Sequence, residues 1–532
     1  MRFLWYNSCM KNDTSTVTIS TTEYENLKTE NAELLQKVNW LMEQFRLSKH
    51  RQFGASSEKS EYDCTQLNLF NEAEITADKT AAEPELVEID KHYRKRKRSA
   101  ADRLPEDLPI EVIEHKLSES ERICPKCAGA LHIMSKETRR ELVITPAQAK
   151  IHEHVREVCA CRNCDKNSDS VPIVKAQMPE PVIFKSFASP EAVAHIMYQK
   201  FVMGAPLYRQ EQDWNRHGIM LSRQTMSNWL IRATEDWLVP IYERLKQELM
   251  CRNILHADET TLQVLHEPGK TAQSKSYMWL YRTSGDTGQP IVLYEYQSGR
   301  HAKYPKKFLE NFEGFLHTDG YDGYRDLPKS ITVVGCWAHM RRYFDEALKV
   351  LPPKSQIGSG ELIGKQYCDK LFALEKQFAE MPPDERFKER QKQSKQVLDE
   401  FFVWVDNLNI LPKSLLGKAV HYAQSQRKYL ERYLLDGRLE ISNNRAERSI
   451  KPFVIGRKKF LFANTSRGAS ASAIMFSIIE TAKENGLNPF EYLVHIFRTA
   501  PNLTKADLVS AESLLPWNAA LRQSVQSPKK AG

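Results

Sequence analysis

Residues 254–265 read Ile-Leu-His-Ala-Asp-Glu-Thr-Thr-Leu-Gln-Val-Leu. How this stretch is taken decides the fold. After Asn253 the periodicity turns from helical to strand-like, so the segment is a strand with Asp258 inside it. Working outward, Ser276–Arg282 and Ile291–Gln297 are two further strands, with the turn Ser284-Gly-Asp-Thr-Gly288 between them. A helical stretch, Tyr304–Phe312, leads to a fourth strand, Gly314–Asp319; a fifth, Ile331–Trp337, precedes a helix from Ala338. Three meander strands followed by alternating helix and strand predict an α/β multidomain chain with a ribonuclease-H-like core, a mixed sheet with helices, over residues 250–480. Within it, residues 345–435 are helix-like and charged and form an insertion.

Upstream, Pro190 to Trp237 has helical character interrupted at Gly218, within a helical region spanning 180–245. Pro206–His217 is one helix, Gly218–Leu221 a turn, and Ser222 the N-cap of the next. That second helix begins Ser222-Arg223-Gln224-Thr225, polar side chains able to reach base edges or phosphates. The pattern fits a DNA-binding helix-turn-helix, and a plain helical hairpin fits the same residues.

Of ten cysteines, five (Cys124, Cys127, Cys159, Cys161 and Cys164) crowd into residues 124–164. Two CxxC knuckles, Cys124/Cys127 and Cys161/Cys164, can close a tetrahedral structural Zn²⁺ site in a ribbon spanning 116–170, with Glu141–Ile144 and Ile151–Val158 as candidate strands. Closer to the start, Tyr24, Leu27, Asn31, Leu34, Val38, Leu41 and Phe45 keep a heptad, which predicts a coiled coil over 21–46 and a homodimer or higher homo-oligomer. Residues 47–115 form a charged linker, and residues 1–20 resemble a disordered extension in which Met10 is an alternative start.

The 532 residues carry 76 Lys+Arg against 68 Asp+Glu, a net +8, with 41% apolar and 27% charged residues. No apolar run approaches the roughly 18–20 residues of a membrane span. The first residues lack a signal peptide's long apolar stretch, so a cytoplasmic chain is expected. The charge is local: KHYRKRKR at 91–98 holds six Lys/Arg, and Arg445–Arg467 holds seven around the single acid Glu447. Both zones lean towards a polyanionic partner.

Three acids stand out by position: Asp258 in the first strand, Asp319 at the end of the fourth, and Glu447 at the start of a later helix. In a ribonuclease-H-like sheet the first and fourth strands are neighbours, so two carboxylates there can share a divalent ion. A third would complete a site for two ions roughly 3.5–4 Å apart. Carboxylate oxygens suit Mg²⁺, which keeps open positions for phosphate.

At this point the residues resemble the transposases of the insertion sequence 66 family, a DDE-type group, over nearly the whole chain from about residue 24. The resemblance is carried by FGASSEK (53–59), the double CxxC, HADET (256–260), HTDGYDGY (317–324), CWAHMRR (336–342), the block DGRLEISNNRAERSIKPFVIGRKKFLFANTSRGA (436–469) and LLPWN (514–518) in a C-terminal tail region, 481–532. It implies a metal-dependent transposase that cleaves at transposon ends and transfers the strand to target DNA, with Asp258, Asp319 and Glu447 catalytic and Mg²⁺ (or Mn²⁺) held by them. Terminal inverted repeats and target DNA are the implied partners, with small accessory proteins of the same element, in the bacterial cytoplasm at the nucleoid. Cys336 and His339 are similar to a C-x-x-H pattern and make a secondary site. Arg223, Gln224, Arg445, Arg448, Arg457, Lys458 and Lys459 are the expected DNA contacts. Cys159 departs from the family pattern, as an extra thiol where an aromatic is more usual. The competing reading is a non-catalytic, zinc-containing DNA-binding regulator, which leaves the three placed acids unexplained.

Overall fold

The computed structural model describes residues 20–53, 149–160, 173–286 and 288–518. They fall into two compact units, residues 55–176 and the remainder. In the smaller unit, β1 (Val158–Ala160) pairs antiparallel with β2 (Ile173–Lys175), Cys159 opposite Val174. The expected strand Ile151–Val158 is corrected: residues 151–157 are exposed and irregular, with no neighbouring strand to pair with among the described residues. Cys124, Cys127, Cys161 and Cys164 lie outside the described residues; Cys159 is an exposed free thiol.

The larger unit opens with α1 (Thr21–Phe53). Its start is a reciprocal cap: the Glu23 N–H donates to Ser20 Oγ at 3.2 Å and the Ser20 N–H to the Glu23 carboxylate at 3.1 Å. The helix runs beyond the expected heptads, and Tyr24, Leu27, Leu34, Val38, Leu41 and Phe45 are all exposed on it.

Next come α2 (Pro190–Phe201), α3 (Leu207–Arg216), α4 (Arg223–Ala233) and α5 (Val239–Met250). The break between α3 and α4 falls at Gly218, with φ +76°, and Ser222 Oγ accepts from the Thr225 N–H at 3.1 Å. Arg223 and Gln224 are exposed on the first turn of α4, while Met226, Trp229 and Leu230 turn into the core.

The sheet comprises β3 (Ile254–His266), β4 (Lys275–Thr283), β5 (Val292–Gln297), β6 (Gly314–His317), β7 (Ile331–Val334) and β8 (Ala463–Thr465), with the short α6 (Lys303–Phe308) between β5 and β6. The strand order is β5-β4-β3-β6-β7. β3, β4 and β5 are an antiparallel meander, while β3, β6 and β7 run parallel. Because β4 holds one edge of β3, β6 and β8 share the other: β6 pairs with residues 254–256 and β8 with residues 264–266. The stretch between them stays open on that edge.

After β7 the chain forms α7 (Trp337–Val350), α8 (Pro353–Gln356), α9 (Gly360–Gln377), α10 (Pro383–Glu389), α11 (Lys395–Asp406) and α12 (Leu415–Leu430). This insertion is more than a charged excursion, since Trp337, Phe344, Phe401, Phe402, Leu430 and Tyr433 make a hydrophobic core of their own. It returns through α13 (Asn444–Phe460), and β8 leads to α14 (Ser466–Glu484), α15 (Pro489–Thr499) and α16 (Lys505–Ser510). α14 covers β5, an edge strand whose free backbone groups need partners. Thr481 Oγ1 and Ser477 Oγ accept from the N–H groups of Val292 (3.0 Å) and Tyr294 (2.7 Å).

Phe401 is wholly buried in the insertion core. Replacing it with Ala should cost about 3–5 kcal/mol in a denaturant titration. A loss below about 1 kcal/mol would mean that the cluster is not a packed core.

Candidate active site

His256 of β3 stands opposite His317 of β6 in the parallel register. Alternate residues of a strand share a face, so Asp258, inside β3, lies on the face of His256, and Asp319, two residues past the end of β6, is near enough for its charge to act on Asp258. The expected strand to Asp319 ends earlier, at His317. Asp319 instead turns the chain: its Oδ1 accepts from the Tyr321 N–H at 3.0 Å, and Gly320 takes φ +95°. Tyr422 of α12 donates to the Asp319 carbonyl at 3.0 Å.

Beneath the two acids the His256 and His317 rings stack, centroids 4.4 Å apart and planes 12° off parallel, both fully buried. Burial pushes His256 down to about 3, and burial with the His256 neighbour pushes His317 well below its ordinary value. Both rings are neutral near pH 7. Asn443 fixes one of them. Its Nδ2 donates to the Ala257 carbonyl at 2.8 Å, leaving Oδ1 as the acceptor 2.9 Å from His256 Nδ1, which therefore carries that ring's proton. The Asn443 N–H donates to Cys336 Sγ at 3.1 Å. Asn443 is also the residue before α13, whose first turn carries Glu447. One buried amide thus ties β3, the end of the β7 segment and the helix of the third acid.

Glu447 lies 3.3 Å from Arg342 and 3.6 Å from His339 Nδ1, both on α7. Ligand-type atoms of Cys336, His339 and Glu447 all lie within 4.8 Å of one another. Burial raises the Cys336 thiol to about 11, so it is a neutral thiol. His339 is pushed down by burial, against the pull of Glu447 and Asp319.

The two faces of β3 treat adjacent acids differently. Glu259 has a cation partner: Arg300 Nε donates to it at 2.8 Å and Tyr324 Oη at 2.8 Å. Asp258 has no such cation. Burial, then the charges of Glu259, Asp319 and Glu447, hold its carboxyl well above the usual range, against one hydrogen bond from the Glu259 N–H. A buried carboxylate beside other carboxylates is the environment that a divalent cation relieves, and the oxygen donors suit Mg²⁺ or Mn²⁺. Glu447 Oε1 and His339 Nδ1 are also buried without a hydrogen bond.

Among the other singled-out residues, Arg448, Lys458 and Lys459 are exposed on α13 and Arg445 pairs with Glu440 at 2.7 Å. Arg457 turns to the open edge of β3, donating to Thr260 Oγ1 at 3.1 Å and to the Thr261 carbonyl. Sequence reasoning missed the roles of His256, His317 and Asn443. The signal was present: each Asp is preceded by His at the same offset, His256-Ala-Asp258 and His317-Thr-Asp319. Asn443→Ala would strand the Ala257 carbonyl and the His256 N–H, and should cost about 2–4 kcal/mol in chemical denaturation. Asn443→Asp, which keeps one acceptor, should fall between; equal stability of all three proteins would sink this role.

Residues 185–471 match the family described as Transposase IS66 family. Residues 121–165 match the zinc-finger binding domain of transposase IS66, residues 40–113 the description Transposase C of IS166 homeodomain, and residues 477–517 the IS66 C-terminal element. Similar proteins include three from Sinorhizobium fredii (strain NBRC 101917 / NGR234), each described as uncharacterized. Protein y4qI is 31% identical over 415 residues, covering 74% of this chain and 73% of its own length. Protein y4jD is 28% identical over 430 residues, 78% of this chain and 81% of its own. Protein y4hP is 28% identical over 442 residues, 79% and 77%. With more than half of its length matched by one family and a relative of this identity and coverage, the chain belongs to the IS66 family of transposases.

Proposed function

We propose that the chain is a DDE transposase whose ribonuclease-H-like core cleaves DNA at transposon ends and joins the freed 3′ end to target DNA. The observation that carries this reading is buried Asp258, whose carboxyl feels the charges of Asp319, just past the β6 strand paired with β3, and of Glu447 on α13, with no cation beside it to compensate. The strand order β5-β4-β3-β6-β7, antiparallel then parallel, supports the ribonuclease-H-like assignment. Asp258, Asp319 and Glu447 would hold Mg²⁺ or Mn²⁺, which supplies charge neutralisation at a phosphodiester and activation of the attacking oxygen. The chain's own part is positional. The histidine stack and Asn443 keep β3, β6 and the first turn of α13 in register, and Arg342 holds Glu447 by a 3.3 Å hydrogen bond with His339 beside it. Cys336 and His339 then form a supporting secondary site.

The zinc-finger match at 121–165 supports structural Zn²⁺ on Cys124, Cys127, Cys161 and Cys164. DNA binding is assigned to Arg223 and Gln224 on α4 and to Arg445, Arg448, Lys458 and Lys459 around α13, with Arg457 acting through the edge of β3. The exposed heptad of α1 supports self-association as a homodimer or higher oligomer that pairs two ends, with accessory proteins of the same element as further partners. No helix among the described residues is long and apolar enough to cross a membrane; work at the bacterial nucleoid is part of the transposase reading. A non-catalytic regulator would need no buried carboxylates beside a DNA surface, where they repel phosphate.

Glu447→Gln should still bind its element's end DNA in a gel shift, while cleavage and joining in Mg²⁺ fall by several orders of magnitude. Asp258→Asn and Asp319→Asn should behave alike, and their combination should add little. Cutting by Glu447→Gln at near wild-type rate would remove Glu447 from the site. For the zinc ribbon, metal analysis in reducing buffer should find about one Zn²⁺ per chain. Cys124→Ser should lose it with the sheet still folded; a zinc-free wild-type protein would overturn this assignment.

A further inference from the structure

The end of α13 is unusual. Leu461 has φ +64° and ψ −51°, and the Phe462 N–H donates to the Phe460 carbonyl at 2.8 Å. Residues 460–462 therefore form a three-residue γ-turn of the hand that crowds a β-carbon. A helix that only needs to stop takes glycine at such a position. Here the strained residue is leucine, 65% exposed, followed by Phe462, 42% exposed, so burial does not account for either side chain. Strain held at a site without a packing reason points to function.

The surroundings are cationic. Lys458 and Lys459 are exposed on the last turn of the helix, and no Asp or Glu occurs between Glu447 and Glu480. Lys459 reaches the Met203 carbonyl at 3.4 Å, beside the exposed Met203 side chain, and Lys200 lies 5.3 Å from the Phe460 ring. Arg467, after the tip, pairs with Glu235. The tip is tied to the strand of Asp258, since Ala463 and Thr465 pair with Val264 and His266. From Asp258 to Val264 is six residues of strand, about 20 Å, or about six base-pair rises of duplex.

We propose that Leu461 and Phe462 form a wedge that enters a base step of duplex DNA about half a turn from the scissile phosphate, with the flanking lysines on the backbone. Apolar side chains presented on a basic surface unstack and kink duplexes in this way. The inference rests on the transposase reading and adds a distortion of the substrate that the reading does not require.

The test is permanganate footprinting of thymines in the element's end DNA bound by the full-length protein without added Mg²⁺, alongside cleavage of the same DNA in Mg²⁺. The wild type should make a thymine reactive within the half-turn beside the cleavage position. Leu461→Gly, which relaxes the turn, should keep or raise the melting temperature, keep cleavage-site binding, and lose that reactivity; Phe462→Ala should lose it too, and Leu461→Met should retain it. A wild type that cleaves its ends with no reactive thymine, or reactivity that survives Leu461→Gly, overturns the wedge and leaves the transposase standing. A lower melting temperature for Leu461→Gly overturns it as well, because the side chain would then be packing. So does a change of oligomeric state in the variants by light scattering, which would assign the tip to a second copy. A wild type that neither binds nor cuts end DNA removes the transposase reading itself, and the wedge with it.

Discussion

The candidate site depends on one buried side-chain amide. Asn443 donates to the Ala257 carbonyl, accepts from His256 and gives its own N–H to Cys336 Sγ. Each of these groups is buried, so each would forfeit its hydration without the contact. The residue precedes α13 directly, and the first turn of that helix carries Glu447. The position of the third acid relative to the sheet therefore follows from a hydrogen-bond requirement, and the 17-residue helix behind it follows in turn.

The same strand shows how a protein gives one acid a cation and leaves its neighbour without one. Glu259 faces Arg300 and Tyr324, which both donate to its carboxylate. Asp258 faces the other way, over two neutral imidazoles, with only carboxylates near enough to matter in its field. Neutral histidines are a consistent choice beneath it. A protonated pair would repel internally and would draw the carboxylates inwards, whereas a neutral stack supplies flat, polar packing with defined protons.

The insertion contributes to the site by holding the returning chain. Arg390, buried, is bound by Glu375 at 2.6 Å and donates to the carbonyls of Tyr433 (3.0 Å), Asp436 (2.9 Å) and Leu439 (2.8 Å). These carbonyls belong to the run that enters Glu440 and Asn443. A guanidinium with its donors satisfied is a firm anchor, and the helices around Phe401 supply the apolar surroundings that keep it dry. On the other side of the site Arg457 meets the edge of β3 between β6 and β8, so the Thr261 carbonyl there has a donor without a strand.

Local chemistry was enough to read the strands β3 to β7, the break at Gly218 and the Ser222 cap, because alternation, turn residues and caps act over a few residues. The heptad of α1 was equally legible as a helix. Other features escaped. Ile151–Val158 alternates like a strand, yet a strand also needs a neighbour, and only Val158–Ala160 finds one among the described residues. Arg457 resembles its basic neighbours in sequence, and only the fold brings Thr261 to it across nearly two hundred residues. The roles of His256, His317 and Asn443 were likewise invisible one segment at a time. Their spacing to the acids is written in the chain, but stacking and amide bridging arise when β6 is laid beside β3 and the insertion returns Asn443 to both. Sequence determined which segments could be strands and which acids lie in or just beyond them. Tertiary structure decided which charges are left uncompensated, since that depends on partners far apart in the chain and on the loss of water around them.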